Sequence, residues 1–156
     1  MSFDFSVLNP TERIIFELRS LYTKFGYKPF KMSKFEEYEL YIRNKDFLVS
    51  DRIITFNDTN GKLMALKPDV TLSIIKNVVP EDSSIHKLYY NENVYRTSAE
   101  SHGFKEIMQT GLECIGDTDI FDVFEVLSLA LESLATVSES FVLDISHMGV
   151  FSALLD

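Results

Sequence analysis

Ile14, Ile15, Leu18, Leu21 and Phe25 recur at the three- and four-residue spacing of a helix, which predicts an amphipathic helix with one buried face. Asn9-Pro10-Thr11-Glu12 supplies its start, with Asn9 as cap and Pro10 at the first helical position, and Gly26 supplies its stop. Lys28 to Met32 reads as short and extended. Phe35 to Tyr41 favours a short helix, although its apolar and acidic positions nearly alternate as in a strand. Arg52–Phe56 and Leu63–Leu66 flank Asp58-Thr59-Asn60-Gly61, whose Asn-Gly pair predicts a two-stranded hairpin. Pro68 to Val78 reads as a helix with proline in its first turn, closed by Pro80. Ile85–Arg96 and Phe104–Ile115 are long β-rich runs joined by the polar loop Thr97–Gly103, a second and larger hairpin. Ile120, Phe121, Phe124, Leu127, Leu131 and Leu134 predict a helix over 118–137 with Thr118 as its cap. Phe141–Ile145 reads as a final strand and Met148–Leu155 as a final helix. Hairpins mixed with helices, without regular βαβ alternation, predict an α+β protein whose antiparallel β-sheet is flanked by helices.

The length of 156 residues fits one domain or a large piece of one, and neither a linker nor an internal repeat divides it. With 46% hydrophobic residues, 13 Phe and 7 Tyr, the chain has enough apolar surface to build a core. A net charge of −9 disfavours nucleic acid and anionic membranes, because phosphate affinity comes largely from clustered Lys and Arg. No apolar run approaches a membrane span, no secretory leader is evident, and Cys114 alone excludes a disulfide framework, so a cytoplasmic setting is expected.

Strand alternation gives the best candidate site. In an extended Phe104–Ile115, Lys105, Gln109 and Glu113 share one face, with Ile107 and Gly111 between them, while Phe104, Met108, Leu112 and Cys114 form an apolar face that suits a core. The polar row suits a ligand cleft floored by the sheet, Gly111 leaving room for a bound group; a solvated sheet face is the competing reading and stays open here. Arg96, ending the preceding strand, is placed to reach across the hairpin to a carboxylate or phosphate. Asp69 and Thr71 stand in a first helical turn, where capping alone accounts for them. Glu36, Glu37 and Glu39 suit acid–base work, but on a short amphipathic segment they are expected to be exposed. His86, His102 and His147 have no partner at metal-ligand spacing, and Cys114 reads as a small core residue, so no metal site and no cofactor is expected.

Leu66-Lys67-Pro68-Asp69-Val70-Thr71, then Val94-Tyr95-Arg96, then Gly103 to Gly116 resemble, in that order, the histidyl-tRNA synthetase-like branch of the class II aminoacyl-tRNA synthetase fold. More closely, the chain is similar to the regulatory subunits of short-form ATP phosphoribosyltransferase, a synthetase paralogue of histidine biosynthesis. Leu143 to Val150 resembles the strand and helix that follow in that subunit, and Phe35 to Leu40 the segment after motif 1. The resemblance covers nearly the whole chain and implies one class II synthetase-like domain over 1–156, the N-terminal part of that fold only.

By position, the resemblance assigns Asp69, Thr71 and Gln109 to the ammonium group of histidine, Glu113 to its imidazole, and Arg96, the motif 2 arginine, to a carboxylate or phosphate; Lys105 is a possible further cleft residue. Two departures bear on function. Ser98 stands where synthetases of this branch carry an acidic residue that contacts adenine, and Thr97–Gly103 contains no Arg or Lys to hold triphosphate or a tRNA end. The motif 3 arginine and the anticodon-binding domain have no counterpart among these residues. The resemblance therefore implies a non-catalytic regulatory subunit that binds and activates the short catalytic phosphoribosyltransferase and relays histidine feedback, with L-histidine as effector. The segment matching motif 1 implies a homodimer within a hetero-oligomer. A fragment or relative of histidyl-tRNA synthetase, inactive alone, and a ligand-free dimeric interaction module remain as alternatives.

Overall fold

The computed structural model describes residues 4–44, 53–78, 84–98, 103–147, 149 and 153. A single 3-10 turn, Phe5–Val7, leads to α1, Pro10–Lys24. Its start is a capping box: the Asn9 side chain accepts from the Glu12 N–H and the Glu12 carboxylate accepts from the Asn9 N–H, both at 2.9 Å. The chain continues through β1 (Lys28–Pro29), β2 (Phe35–Glu37) and α2 (Tyr38–Arg43), so the ambiguous segment at 35–41 is a strand that turns into a helix. β3 (Thr55–Asn57) and β4 (Leu63–Leu66) form the first predicted hairpin. Asp58 Oδ1 ties its turn by accepting from the Asn60 and Lys62 N–H groups, and Gly61 takes the positive φ of 79° that the turn requires. α3 (Thr71–Asn77) follows, then the long hairpin of β5 (His86–Thr97) and β6 (Phe104–Ile115), and α4 (Ile120–Val137).

The strands make two three-stranded sheets, ordered β1-β5-β6 and β2-β4-β3. All pairings are antiparallel except that of β1 with β5, which is parallel. β5 and β6 pair along their whole length, Leu88 opposite Glu113, Tyr90 opposite Gly111, Glu92 opposite Gln109 and Arg96 opposite Lys105. One face of this hairpin packs Tyr89 and Leu112 against Leu18 and Tyr22 of α1 and Leu129 of α4. The other packs Val94, Leu88, Tyr90 and Ile115 against Val70 and Ile74 at α3. The second sheet has its own cluster of Tyr41, Ala65 and Leu72.

Lys67, directly after β4, links the two sheets. Its N–H donates to the Lys34 carbonyl, its carbonyl accepts from the Tyr95 N–H of β5 at 2.8 Å, and its side chain, 0% exposed, places Nζ 3.0 Å from Glu92 Oε2.

Several expectations are corrected. α3 begins at Thr71, three residues after Pro68, and α4 is capped by Asp119 rather than Thr118, because the Asp119 carboxylate accepts from the Phe121 and Asp122 N–H groups in a second capping box. Phe104 and Met108 are exposed, since the loop end of β6 extends past the helices that cover Leu112. Phe141–Ile145 pairs with no described strand and leaves Val142 and Ile145 exposed. Glu36 is buried and bonded to Lys76 Nζ at 2.7 Å, whereas Glu37 and Glu39 pair at the surface with Lys62 and Arg43. Arg52, Pro80, most of the loop with His102, and all of the helix expected at Met148–Leu155 except Gly149 and Ala153 lie outside the described residues.

The apolar stripe that predicts α4 faces outward. Ile120, Phe124 and Leu131 are 72%, 70% and 45% exposed, while the inward face presents Leu129, Ser133 to the Tyr22 hydroxyl at 2.9 Å, and Glu125 to Lys87 Nζ at 2.7 Å. Among the described residues no helix is long and apolar enough to cross a membrane.

Leu129→Ala is expected to lower stability in urea unfolding by about 2–5 kcal/mol, the usual cost of a core leucine, whereas Leu131→Gln changes it by less than about 0.5 kcal/mol. Equal costs at the two positions would contradict this orientation of α4.

Candidate functional site

Because opposed residues of an antiparallel pair share a face, the α3-facing side of the long hairpin carries Tyr90, Glu92 and Arg96 from β5 beside Gln109, Gly111 and Glu113 from β6. The polar row is therefore not a solvated sheet face at its Glu113 end. There α3 closes over it, and the Thr71 hydroxyl donates to Glu113 Oε1 at 2.7 Å. Asp69 caps the helix through the Leu72 N–H, which donates to Oδ1 at 3.1 Å. Of the two residues that capping accounted for, one caps and the other reaches into the sheet. Asp69, Thr71, Leu72 and Ile75 border a pocket of about 220 Å³.

Among the described residues Arg96 pairs with no carboxylate; its Nε donates to the Pro68 carbonyl at 3.0 Å, and so holds the segment that carries Asp69 and Thr71 against β5. Lys105, at the loop end of β6, is exposed and is not brought to this cluster. Gln109 is half-buried opposite Glu92. Gly111 leaves less room for a ligand than expected, because the Tyr90 ring occupies the space above it. A larger hollow of about 670 Å³ lies along α1, lined by Ser6, Leu8, Arg13, Phe16, Glu17 and Ser20, and contains none of the predicted site residues.

Burial raises the Glu113 carboxyl above the usual carboxylate range; the Thr71 hydrogen bond opposes that and the Asp69 charge adds to it. The same surroundings act on Tyr90, whose hydroxyl is pushed up to about 12 by burial first and by the charges of Glu113 and Asp69 second. Beside the Glu92 carboxylate, which is paired with Lys67, the cluster thus holds two further carboxylates, a hydroxyl, an amide and a phenol, a set suited to a ligand rich in N–H groups. Cys114 lies on the opposite face, its thiol raised by burial and by Asp122. Among the described residues no group of His, Cys, Asp and Glu could hold a metal ion.

Tyr90, Glu92 and Lys67 are absent from the residues that strand parity selects. The first two follow from the hairpin register, which a seven-residue polar loop does not fix. The burial of Lys67 follows from the junction of two sheets, for which no local pattern exists.

Residues 8–156 match the profile of histidyl-tRNA synthetase. The chain belongs to the histidyl-tRNA synthetase family. Within the family it is 31% identical over 144 residues to the histidine–tRNA ligase of Methanocaldococcus jannaschii, covering 90% of this chain and 35% of that protein. It is also 31% identical over 144 residues to the ATP phosphoribosyltransferase regulatory subunit of Clostridium kluyveri, covering 89% of this chain and 37% of that one. Among solved structures, a chain of the ATP phosphoribosyltransferase complex of Thermotoga maritima superposes with a TM-score of 0.63 at 26% identity, over 90% of this chain and 45% of that chain. The chain spans little more than a third of the length of the two curated relatives. The fold is the α+β arrangement of the histidyl-tRNA synthetase-like class II proteins, as the motif order implied.

Because the folded pKa of Glu113 lies above its unfolded value near ~4.3, its contribution to stability is full below that value and is lost as pH rises through the folded one. Glu113→Gln is therefore expected to melt above the wild type at pH 7 and to lose that advantage near pH 4. An equal difference at both pH values would contradict the burial of this carboxylate.

Proposed function

We propose that the chain is a non-catalytic regulatory subunit of short-form ATP phosphoribosyltransferase, one that binds and activates the catalytic subunit and relays inhibition by L-histidine. The observation that carries this reading is the cluster of Asp69, Thr71, Gln109 and Glu113, a set that suits a zwitterionic amino acid with an imidazole. Asp69, Thr71 and Gln109 would address the ammonium group and Glu113 the imidazole. Arg96 is assigned to the carboxylate, which requires its guanidinium to serve the ligand as well as the Pro68 carbonyl.

The nucleotide end of a synthetase site finds less support. Ser98, where such enzymes carry the adenine-contacting acid, is buried, and its N–H donates to the Gly103 carbonyl at 2.8 Å, closing the base of the loop. The naming of one relative as a regulatory subunit and the origin of a structural neighbour in a phosphoribosyltransferase complex also favour the reading. The equal identity to a histidine–tRNA ligase favours the second reading, a fragment or relative of that enzyme. A homodimer through the segment matching motif 1, acting in a hetero-oligomer, belongs to the first reading.

The test is the rate of ATP phosphoribosyl transfer by the short catalytic subunit of the same source, with and without this chain and with histidine titrated in. Activation that histidine reverses is expected. Glu113→Gln is expected to require about tenfold more histidine for reversal, since a charge-assisted hydrogen bond contributes roughly 1.5–3 kcal/mol. An unchanged rate, with the two proteins eluting separately, would overturn the regulatory role.

A further inference from the structure

Tyr90 stands directly opposite Gly111, on the face that carries Glu92, Gln109 and Glu113. Its ring leans across to β6: a Cβ on Gly111 would fall 2.5 Å from the hydroxyl oxygen and 2.7 Å from Cζ. Gly111 is not among the glycines with positive φ, so its backbone suits any residue and only the space above it demands glycine. Gln109 and Glu113 flank Gly111 two residues to either side on the same face, which puts the phenol oxygen between them. The carboxylates that raise the Tyr90 hydroxyl are those of Glu113 and Asp69, which the start of α3 brings to the same end of the row. No hydrogen bond joins this hydroxyl to another described residue. Tyr90 is half-buried and its hydroxyl is not among the buried atoms left without a partner, so the oxygen is open to a bound molecule.

We propose that Tyr90 is a ligand-contacting residue of this cleft, its ring forming the floor beneath a bound amino acid and its hydroxyl accepting an N–H from it, and that Gly111 makes room for Tyr90 rather than for the ligand. The proposal rests on the reading of the cleft as a histidine site. Glu113 and Asp69, when ionised, only accept hydrogen bonds, so the phenol donates to one of them while its oxygen takes an N–H of the ligand. A floor of this kind discriminates between ligands by what they leave unpaired, because an amino acid without a second nitrogen-bearing end brings no N–H to the acceptor side of the phenol oxygen and of Glu113.

The test is calorimetric titration of the full chain with L-histidine, for the wild type and Tyr90→Phe, with melting curves for both. Tyr90→Phe is expected to keep its melting temperature and to bind histidine about three- to tenfold more weakly, the range of one neutral hydrogen bond. Unchanged affinity would overturn the contact while leaving the histidine reading intact. A wild type that binds no histidine would overturn that reading and the contact with it. The steric half has a separate readout. Gly111→Ala is expected to lower the melting temperature of the wild type and to have little effect in a Tyr90→Leu background, whereas the same loss in both would overturn the pairing of Gly111 with Tyr90.

Discussion

A lysine with no solvent contact holds the two sheets of this protein together. Lys67 joins Lys34, just before β2, through its N–H, β5 through its carbonyl, and Glu92 through its ammonium group. Taking that charge out of water costs several kcal/mol unless a partner stands close, so the pair with Glu92 sets geometry more than it adds stability. Once Lys67 is fixed, the residues after it have little freedom. Pro68 is held by Arg96, Asp69 caps α3, and Thr71 meets Glu113 across the gap. The cleft is thus a consequence of where β4 ends.

The long hairpin serves two environments at once. On one face Tyr89 and Leu112 pack beneath α1 and α4; on the other, carboxylates, amide and phenol gather beneath α3. α4 inverts the usual relation between pattern and packing, turning Asp122, Glu125 and Ser133 inward and Ile120, Phe124 and Leu131 outward. Lys87 makes this workable: it bonds Glu125, lies 3.7 Å from Asp122, and sits over the Tyr27 ring.

Local signals in the sequence correspond to local structure. The cap at Asn9, the Asn-Gly turn and the two β-rich runs each specify a few adjacent residues, and each forms as read. Gln109 and Glu113 share their face because alternation along a strand needs no tertiary information, and the motif order added Asp69, Thr71 and Arg96. Relations across the fold were not legible in this way. Periodicity identifies α4 as a helix but cannot say which side the sheet takes, and strand parity finds the polar row but not the register that lays Tyr90 over Gly111. Phe141–Ile145 has strand composition yet no described neighbour to pair with, and strand propensity is largely a statement about neighbours.

The central claim is that the Asp69–Thr71 segment and the Gln109–Glu113 strand form one histidine-binding cleft. The most direct test is titration of the isotope-labelled chain with L-histidine, followed through its backbone amide resonances. The account predicts that amides of both segments shift together along one binding curve. Shifts confined to one segment, or centred on the hollow along α1, would contradict it.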